Sequence, residues 1–331
     1  MNLPRGLRII LWPFSMLYAA VMWLRASLYA CGWRKQKRLS GRVISVGNLT
    51  VGGTGKTPMV IWLAERFLAE GKRVAILSRG YQGSGTTSDE IALMKDRLQS
   101  RVLLGVGKDR YAEGKRLESS GVDIFLLDDG FQHLRLARDL DILLIDSTRP
   151  LHKEWMLPAG RLREPRAALH RADVVLFTRT EQSPSTVRAI QKFPKIPIYP
   201  STTKLLGFRQ YESRVVLKSS CGDPVFAFAG IGNPEAFFAD LDRWSVRVVG
   251  HRSFRDHHHY TERDLQELTG AAQRLGAKAL MTTEKDAQNL EAGMLSAFPL
   301  QIAVVAMEIP DEDEFMRYLR ERLALRNGVA A

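Results

Sequence analysis

A single glycine-rich stretch constrains this chain more than any other feature. Residues 42–46 form a short, largely β-branched run, and residues 59–70 have a composition compatible with a helix. Between them the sequence reads Gly-Asn-Leu-Thr-Val-Gly-Gly-Thr-Gly-Lys-Thr-Pro, ending at Pro58. A strand, a glycine-rich turn and a helix in this order are typical of a phosphate-binding loop, in which backbone N–H groups and the helix N-terminus hold phosphate oxygens.

The loop predicts a site for ATP and Mg²⁺. Lys56 would reach the β- and γ-phosphates, and the Thr57 hydroxyl would be a ligand of Mg²⁺. The general consensus has a glycine at the position of Thr50, but two glycines in the middle of the loop compensate for it. The alternative is a turn that only joins a strand to a helix. The residues predicted to bind the nucleotide are Thr50, Val51, Gly52, Gly53, Thr54, Gly55, Lys56 and Thr57.

The apolar pattern predicts the fold class. From residue 42 to about residue 200, short continuous apolar runs alternate with helix-compatible runs, as in parallel strands that are buried on both faces. We therefore expect a doubly wound α/β domain with its ligand at the carboxyl ends of the strands. A second, smaller α/β unit follows. The predicted organisation is an N-terminal membrane-anchoring helix over 1–33, a P-loop domain over 34–200, a linker over 201–220 and a second α/β domain over 221–331.

Two adjacent carboxylates complete the predicted metal site. Asp128 and Asp129 follow the apolar run at residues 124–127, and an Asp at a strand tip can hold Mg²⁺ near Thr57. Neighbouring positions on a strand face opposite sides, so only one of the two is expected to approach the metal directly. The residues leave open which one it is, and a turn with two exposed aspartates is the alternative.

Other polar residues are weaker candidates on local grounds. Asp89 precedes an apolar run and could cap a helix. Arg79 follows a predicted strand, at the edge where ligands collect. Arg163 has a planar guanidinium that suits phosphate, and Glu164 lies beside it, although a solvated loop is the alternative there. Contiguous histidines at residues 257–259 point in different directions, which favours a general acid–base role for one of them over a metal site.

The net charge of +12 is concentrated at the N-terminus. The first 42 residues contain eight Lys and Arg and no Asp or Glu. This excess lies beside an apolar segment, which favours an anionic membrane surface and not a nucleic acid as the partner. The two cysteines, Cys31 and Cys221, predict neither a metal site nor a disulfide framework and agree with a reducing compartment.

Residues 9–24 form an uncharged run of 16 residues. A spanning helix needs about 20 apolar residues, so this segment lies at the border between spanning a membrane and lying in its interface. Aromatic residues around it and the basic block at residues 34–38 are typical of a membrane interface on the cytoplasmic side. A helix buried in the protein's own core is the alternative.

Taken together, the motifs closely resemble one family, the tetraacyldisaccharide 4′-kinases, which are the lipid A 4′-kinases of Gram-negative bacteria. The resemblance covers essentially the whole chain, and the Thr50 departure looks like a trait of the family. Small departures are Ser88, where glycine is expected, and His259, which extends the usual histidine pair. The matching segments are 47–58, 78–81 (Ser-Arg-Gly-Tyr), 89–90 (Asp-Glu), 128–133 (Asp-Asp-Gly-Phe-Gln-His), 160–165 (Gly-Arg-Leu-Arg-Glu-Pro), 254–260 and 283–286 (Thr-Glu-Lys-Asp).

The resemblance implies transfer of the γ-phosphoryl group of ATP to the 4′-hydroxyl of tetraacyldisaccharide 1-phosphate, a lipid A disaccharide precursor, to give lipid IVA. It implies action at the cytoplasmic face of the inner membrane and two Rossmann-like lobes with the active site between them. It assigns the base to Asp89, paired with His257, beside the catalytic Lys56. Arg79, Arg163 and Glu164 become candidates for binding the substrate.

The alternative function is a membrane-associated P-loop switch ATPase. The loop of such proteins begins Lys-Gly-Gly-x-Gly-Lys-Thr, and its first lysine reaches across a dimer. This chain has Val51 at that position, which argues against the switch ATPase. A nicotinamide-dependent oxidoreductase is a third possibility, against which Lys56 and Thr57 argue.

Overall fold

The computed structural model describes residues 4–80, 88–183, 196–218, 222–291 and 298–325. Tyr81 and Cys221 lie outside the described residues. The chain divides into two compact units. The first contains Met1–Gly83, Arg97–Thr202 and Glu308–Ala331, and the second contains Ser84–Asp96 and Thr203–Met307.

Helices of both units are numbered in chain order over the described residues. They are α1 (Arg5–Ala30), α2 (Lys56–Ala69), α3 (Asp89–Leu98), α4 (Arg110–Leu117), α5 (Pro234–Arg243), α6 (Glu262–Arg274), α7 (Glu284–Ala287) and α8 (Glu312–Leu325). Short 3₁₀ segments occupy Gln99–Arg101, Glu118–Ser120, Leu151–Lys153 and Arg166–Arg171.

The first unit is built on a seven-stranded sheet in the order β3-β2-β4-β1-β5-β6-β7. Every recorded pairing within it is parallel. Most of its strands are buried along nearly their whole length, as the continuous apolar runs predicted. The strands are β1 (Arg42–Asn48), β2 (Val74–Ser78), β3 (Leu103–Val106), β4 (Ile124–Asp128), β5 (Leu140–Asp146), β6 (Val174–Thr178) and β7 (Ile198–Pro200).

The strand order determines which loops meet. Strand β1 lies between β4 and β5, and Val46 of β1 is in register with Asp128 of β4. The loop that follows β1 and the aspartates that end β4 therefore leave the same edge of the sheet from neighbouring strands. This arrangement confirms the predicted fold class for the first unit.

The second unit contains a five-stranded sheet in the order β10-β9-β11-β12-β8. The recorded pairings of β9 with β10, β9 with β11 and β11 with β12 are parallel. Two apolar clusters, one around Phe237 and one around Phe228, pack against this sheet. Its strands are β8 (Thr202–Gln210), β9 (Val225–Ala229), β10 (Val248–Ser253), β11 (Ala279–Thr283) and β12 (Leu300–Glu308).

The structure differs from the sequence-based organisation at two places. The region predicted as a linker, 201–220, contains strand β8. Only part of β8 is buried, so its residues lack the continuous apolar run that marks the other strands. Helix α8 was predicted within the second domain but belongs to the first unit, where Phe315 packs its ring against Tyr199. The remaining domain boundaries stay predictions.

Helix α1 directs apolar side chains outward and has polar side chains on its less exposed face. Its less exposed positions include Ser15, Tyr18 and Arg25, which share one helical face. Ser15 Oγ donates to the Met156 carbonyl at 3.1 Å and accepts from the Ala159 N–H at 3.2 Å. The outward face is apolar instead. Its exposed side chains are Leu7, Ile9, Ile10, Trp12, Phe14, Met16, Leu17, Val21, Trp23 and Leu24.

Among the described residues, α1 is the one helix that is long and apolar enough to cross a membrane by length and composition. Only 6% of its most apolar window is buried, which contradicts the alternative of a helix inside the protein's own core. Soluble proteins rarely expose so large a contiguous apolar surface, which marks a protein or membrane contact.

Candidate active site

The glycine-rich loop has the backbone geometry of a phosphate-binding loop. Gly52 (φ 105°) and Gly55 (φ 85°) occupy positive-φ conformations that side chains with a Cβ rarely adopt. Gly55 is the N-cap of α2, so Lys56 and Thr57 begin the helix. The positive end of the helix dipole and the first free N–H groups of α2 therefore lie at the end of the loop.

Side chains fix the interior of the loop. Asn48 Nδ2 donates to Thr54 Oγ1 at 2.9 Å and lies 3.4 Å from the Gly52 carbonyl oxygen. From the end of β6, Thr178 Oγ1 donates to the Thr54 carbonyl at 3.1 Å. The next residue, Arg179, donates to the Gly53 carbonyl at 3.2 Å. Because these bonds hold the carbonyls of Gly52, Gly53 and Thr54, an anion in the loop would meet backbone N–H groups instead.

A second segment, residues 161–163, pairs with the start of the loop. Val51 N–H donates to the Arg161 carbonyl at 2.8 Å, and Arg161 Nη2 donates back to the Val51 carbonyl at 2.7 Å. The Arg163 N–H donates to the Leu49 carbonyl at 2.7 Å. The Gly-Arg-Leu-Arg motif therefore supports the start of the loop through hydrogen bonds, and Arg163 lies beside the loop.

The two aspartates after β4 have different surroundings. Asp129 Oδ2 accepts from Arg163 Nη1 at 2.7 Å, and Asp129 Oδ1 lies 3.6 Å from Lys56 Nζ. Burial alone would raise the pKa of Asp129, but the charges of Lys56 and Arg163 outweigh it and hold the pKa below 3.8. Asp128 is buried, and its Oδ2 lies 3.4 Å from the donor Ser78 Oγ at the end of β2.

The donors near the loop fit Mg²⁺. The described residues contain no group of three or more His, Cys, Asp and Glu that could hold a metal. Mg²⁺ in phosphoryl-transfer sites uses one or two carboxylates together with phosphate oxygens and water, so it needs no such group. The Thr57 hydroxyl and the carboxylates of Asp128 and Asp129 are hard oxygen donors of the kind that Mg²⁺ requires.

The predicted substrate residues occupy three different environments. Arg79 is exposed at the end of β2. Arg163 is partly buried and bonded to Asp129. Glu164 is buried and accepts from Arg171 Nη1 at 2.7 Å and from Gln132 Nε2 at 3.0 Å. Glu164 thus holds its own neighbours in place, whereas the two arginines carry charge close to the loop or to the sheet edge.

In the second unit, Asp89 and His257 form a hydrogen-bonded pair. Asp89 is the first residue of α3, and its side chain is 3% exposed. His257 Nδ1 lies 3.0 Å from Oδ2 and 3.1 Å from Oδ1 of this carboxylate. Asn289 Nδ2 donates to Oδ2 at 3.2 Å, and the Glu90 N–H donates to Oδ1 at 2.8 Å. The predicted base and its histidine are therefore in direct contact.

A partly buried cation completes this cluster. Lys285 Nζ lies 3.7 Å from Asp89 Oδ2 and 3.5 Å from His257 Nε2. It also lies close to Glu90 Oε1 (3.8 Å) and Asp256 Oδ1 (3.3 Å). Burial would lower the pKa of Lys285, but the neighbouring carboxylates raise it above 10.5, so Lys285 remains charged near neutral pH.

The surroundings shift the pKa values of Asp89 and His257 in opposite directions. Burial alone would raise the pKa of Asp89, but the hydrogen bond from His257 and the charge of Lys285 hold it below 3.8. The hydrogen bond to Asp89 raises the pKa of His257 above 6.5, against burial and the charge of Lys285. The resting pair is thus an ionised carboxylate beside an imidazole whose pKa is raised above its ordinary value.

Asp286 positions Lys285 and the turn near His257. Its Oδ1 accepts from the Gly230 N–H at 2.8 Å and from the Tyr260 hydroxyl at 2.9 Å. Its Oδ2 accepts from Thr283 Oγ1 at 2.7 Å, at the N-cap of α7. These bonds tie β9, the histidine segment and α7 together, which gives the Thr-Glu-Lys-Asp motif a structural role.

Sequence reasoning missed several residues that shape these sites. Asn48, Thr178 and Arg179 support the loop, and Lys285 and Asn289 contact Asp89. Thr178 and Arg179 end a predicted parallel strand, so their place at the ligand edge was available as a signal. Lys285 and Asn289 follow a strand in the second unit, and no sequence pattern connects them with Asp89.

The fold and the loop define a P-loop nucleotide-binding protein of the α/β class. The sequence model of the LpxK family, tetraacyldisaccharide-1-P 4′-kinase, matches residues 7–324. The chain therefore belongs to the tetraacyldisaccharide-1-P 4′-kinase family, which confirms the family identified from the sequence.

Relatives and a solved structure agree with this assignment. The tetraacyldisaccharide 4′-kinase of Geobacter sulfurreducens is 41% identical over 312 residues, which cover 88% of this chain and 87% of the relative. The enzyme of the same name from Pelobacter propionicus is 40% identical over 304 residues, covering 86% and 84%. A crystal structure of LpxK from Aquifex aeolicus in complex with ATP matches with a TM-score of 0.76 and 32% identity, covering 96% of this chain and 99% of that chain.

Proposed function

We propose that this chain performs the reaction of its family with two sets of residues, one for ATP and one for the acceptor. It is an ATP-dependent lipid kinase. It transfers the γ-phosphate of ATP to the 4′-hydroxyl of tetraacyldisaccharide 1-phosphate and forms lipid IVA in lipid A biosynthesis.

The first unit provides the ATP site. The N–H groups of the glycine-rich loop and Lys56 hold the phosphates, since Asn48 and Arg161 bond the carbonyls of Gly52 and Val51. Thr57 and Asp128 would hold Mg²⁺, which would supply positive charge to the transferred phosphate. Asp129 is already shared by Lys56 and Arg163, so its role is to orient these two cations.

The second unit provides the base. The O–H bond of the 4′-hydroxyl breaks as its oxygen attacks the γ-phosphorus, and the proton passes to the Asp89–His257 pair. The bond between the γ-phosphorus and the β–γ bridging oxygen breaks, and ADP leaves with that electron pair. The proton comes to rest on His257, because its pKa is raised whereas that of Asp89 is lowered. Lys285 keeps Asp89 ionised throughout.

One observation carries the assignment of the base: the contact of Asp89 with His257 at 3.0 Å inside a cluster that also holds Lys285. A carboxylate that only capped α3 would need neither a histidine nor a lysine as a partner. Arg163, together with Arg79, is proposed to meet phosphate oxygens of ATP or of the acceptor.

The exposed apolar face of helix α1 supports action at a membrane. Its apolar face is directed outward, and the basic residues after it suit anionic headgroups. We assign the chain to the cytoplasmic face of the inner membrane, where ATP is available and basic residues are favoured. The N-terminal charge then serves lipid binding, and we expect no nucleic-acid partner.

The test is incorporation of ³²P from γ-labelled ATP into tetraacyldisaccharide 1-phosphate in detergent. The unmodified chain is expected to label the lipid, whereas Asp89→Ala and His257→Ala should each lose about 100-fold or more in kcat while ATP still binds. The exposed His259→Ala is the matched control and should keep normal turnover. ATP hydrolysis without labelled lipid would favour the switch ATPase instead, and near-normal turnover of Asp89→Ala would contradict the assignment of the base.

A further inference from the structure

A firmly anchored hairpin in the second unit presents an apolar and basic surface. Strand β8 continues into a turn at residues 211–214 and returns antiparallel, and we call the segment 203–218 the β8 hairpin. Phe208 and Leu217 exchange both backbone hydrogen bonds, at 2.8 and 2.7 Å. Gly207 allows this close approach, because a Cβ at Gly207 would come within 2.3 Å of the Leu217 carbonyl oxygen.

The strand and the turn of the hairpin are both fixed to the core of the second unit. Phe208 is buried in the apolar cluster that includes Phe237 and Leu241. Tyr211 donates its N–H to the Leu300 carbonyl at 2.9 Å and its hydroxyl to the Leu290 carbonyl at 3.1 Å. The hairpin is therefore held against this unit at its strand, through Phe208, and at its turn, through Tyr211.

The returning segment is exposed and apolar. Residues 214–218 read Arg-Val-Val-Leu-Lys, and all five are exposed. Val215 is 66% exposed, Val216 41% and Leu217 57%, and Leu206 on the outgoing strand is 42% exposed. Consecutive exposed apolar residues of this kind mark a contact surface.

The charge around this surface specifies the partner. The β8 hairpin contains four basic residues and one acidic residue. Arg209 is mostly buried and paired with Asp96, whereas Arg214 and Lys218 are exposed and flank the apolar run directly. A basic, apolar surface complements the headgroups and upper acyl chains of an anionic bilayer. A protein interface of ordinary composition would instead place aromatic residues at its centre and fewer lysines.

We propose that the β8 hairpin is a membrane-contact site of the second unit, with Val215, Val216 and Leu217 entering an anionic lipid bilayer. This contact is separate from helix α1 of the first unit. It concerns lipid binding and does not depend on the assignment of the catalytic residues, because its test uses neither ATP nor the acceptor.

The test uses the full chain with Cys31→Ser and Cys221→Ser, so that one introduced cysteine can carry a fluorophore. Val216→Cys reports on the hairpin, and Leu275→Cys, an exposed leucine of the same unit, is the matched control. The labelled chain is bound to phosphatidylcholine–phosphatidylglycerol vesicles whose acyl chains are brominated. We expect severalfold stronger quenching at 216 than at 275. Equal or absent quenching at 216 in vesicles that carry the protein by flotation would overturn the proposal.

Two further arms identify the occupant. Arg214→Glu with Lys218→Glu should lower the quenching at 216 to the level of the control, and undiminished quenching would reject the role of anionic lipid. In detergent, the molar mass of the chain measured by light scattering should be the same with and without Val216→Glu. A dimer or larger assembly that Val216→Glu dissociates would mean that a second copy covers the hairpin, and this would also overturn the proposal.

Discussion

The phosphate loop of the first unit and the Asp89 cluster of the second unit are held in place by different kinds of contact. The loop is a contiguous segment whose carbonyls accept hydrogen bonds from Asn48, Arg161 and Thr178, so that an anion in the loop would meet backbone N–H groups. The cluster instead brings together side chains from α3, from the turn after β10 and from the segment that begins with α7. The first is backbone chemistry set by local sequence, and the second is side-chain chemistry set by tertiary structure.

This difference predicts different consequences of mutation. A change in the loop should alter how ATP phosphates are held in the ground state or in the transition state, because its groups are proposed to meet only that ligand. A change in the cluster should alter the protonation of Asp89 and His257 and therefore the dependence of turnover on pH. The following variants can confirm or break this contrast, and they are taken in order of decreasing effect.

The largest effect is expected from Lys56→Ala. This variant removes the positive charge that would reach the γ-phosphate in the transition state, so kcat should fall about 1,000-fold. Lys72→Ala, an exposed lysine shortly after α2, is the matched control and should keep normal turnover. The measurement is the initial rate of lipid phosphorylation over a range of ATP concentrations, which gives kcat and the KM for ATP separately. A loss confined to the KM for ATP would show that Lys56 only binds the ground state.

A distinctive pH profile is expected from the Asp89–His257 pair. The base-competent form has His257 neutral, and its pKa is raised above 6.5 by the hydrogen bond to Asp89. Below that raised pKa the imidazole gains a proton, so kcat/KM should fall about tenfold for each pH unit and should level off as pH rises above it. Asp256 and Lys285 also face the pair and shift the pKa of His257, and Glu90 faces Lys285.

The Asp89→Asn variant tests the sign of this effect. Without the carboxylate, the pKa of His257 loses its main cause of elevation, so the acid limb of the residual activity should move to lower pH. The pH–rate profile of the variant is compared with that of the unmodified chain. An acid limb that stays in place would mean that another group titrates.

The same contrast explains how much the sequence could predict. The glycines at 52 and 55, Lys56 and the aspartates after β4 follow from strand–loop–helix order and from continuous apolar runs. The contact of Asp89 with His257 did not follow from spacing, because 168 positions separate the two residues. Only the resemblance to a family paired them. Lys285 and Asn289 joined them only in the structure, since sequence patterns record periodicity and not tertiary side-chain contacts.

A moderate effect is expected from Asn48→Ala. The variant removes the hydrogen bond to Thr54 Oγ1 inside the loop. Because this bond is buried, its loss should raise the free energy of the ordered loop by about 1–2 kcal/mol. The loop should hold its conformation less firmly, and the KM for ATP should rise about tenfold with kcat little changed. The KM for the lipid acceptor and the pH profile should stay the same. A shift in the acid limb would contradict the separation of the two regions.

The smallest effect is expected from Asn289→Ala, the matching asparagine of the second unit. Its Nδ2 donates to Asp89 Oδ2 at 3.2 Å, and its loss removes one of the causes that lower the pKa of Asp89. The carboxylate then becomes a stronger acceptor for His257, so the acid limb should move to higher pH by about half a pH unit. The KM for ATP should not change. If Asn289→Ala weakened ATP binding as Asn48→Ala is expected to do, the two regions would not act separately, and the assignment of the base to the second unit would lose its main support.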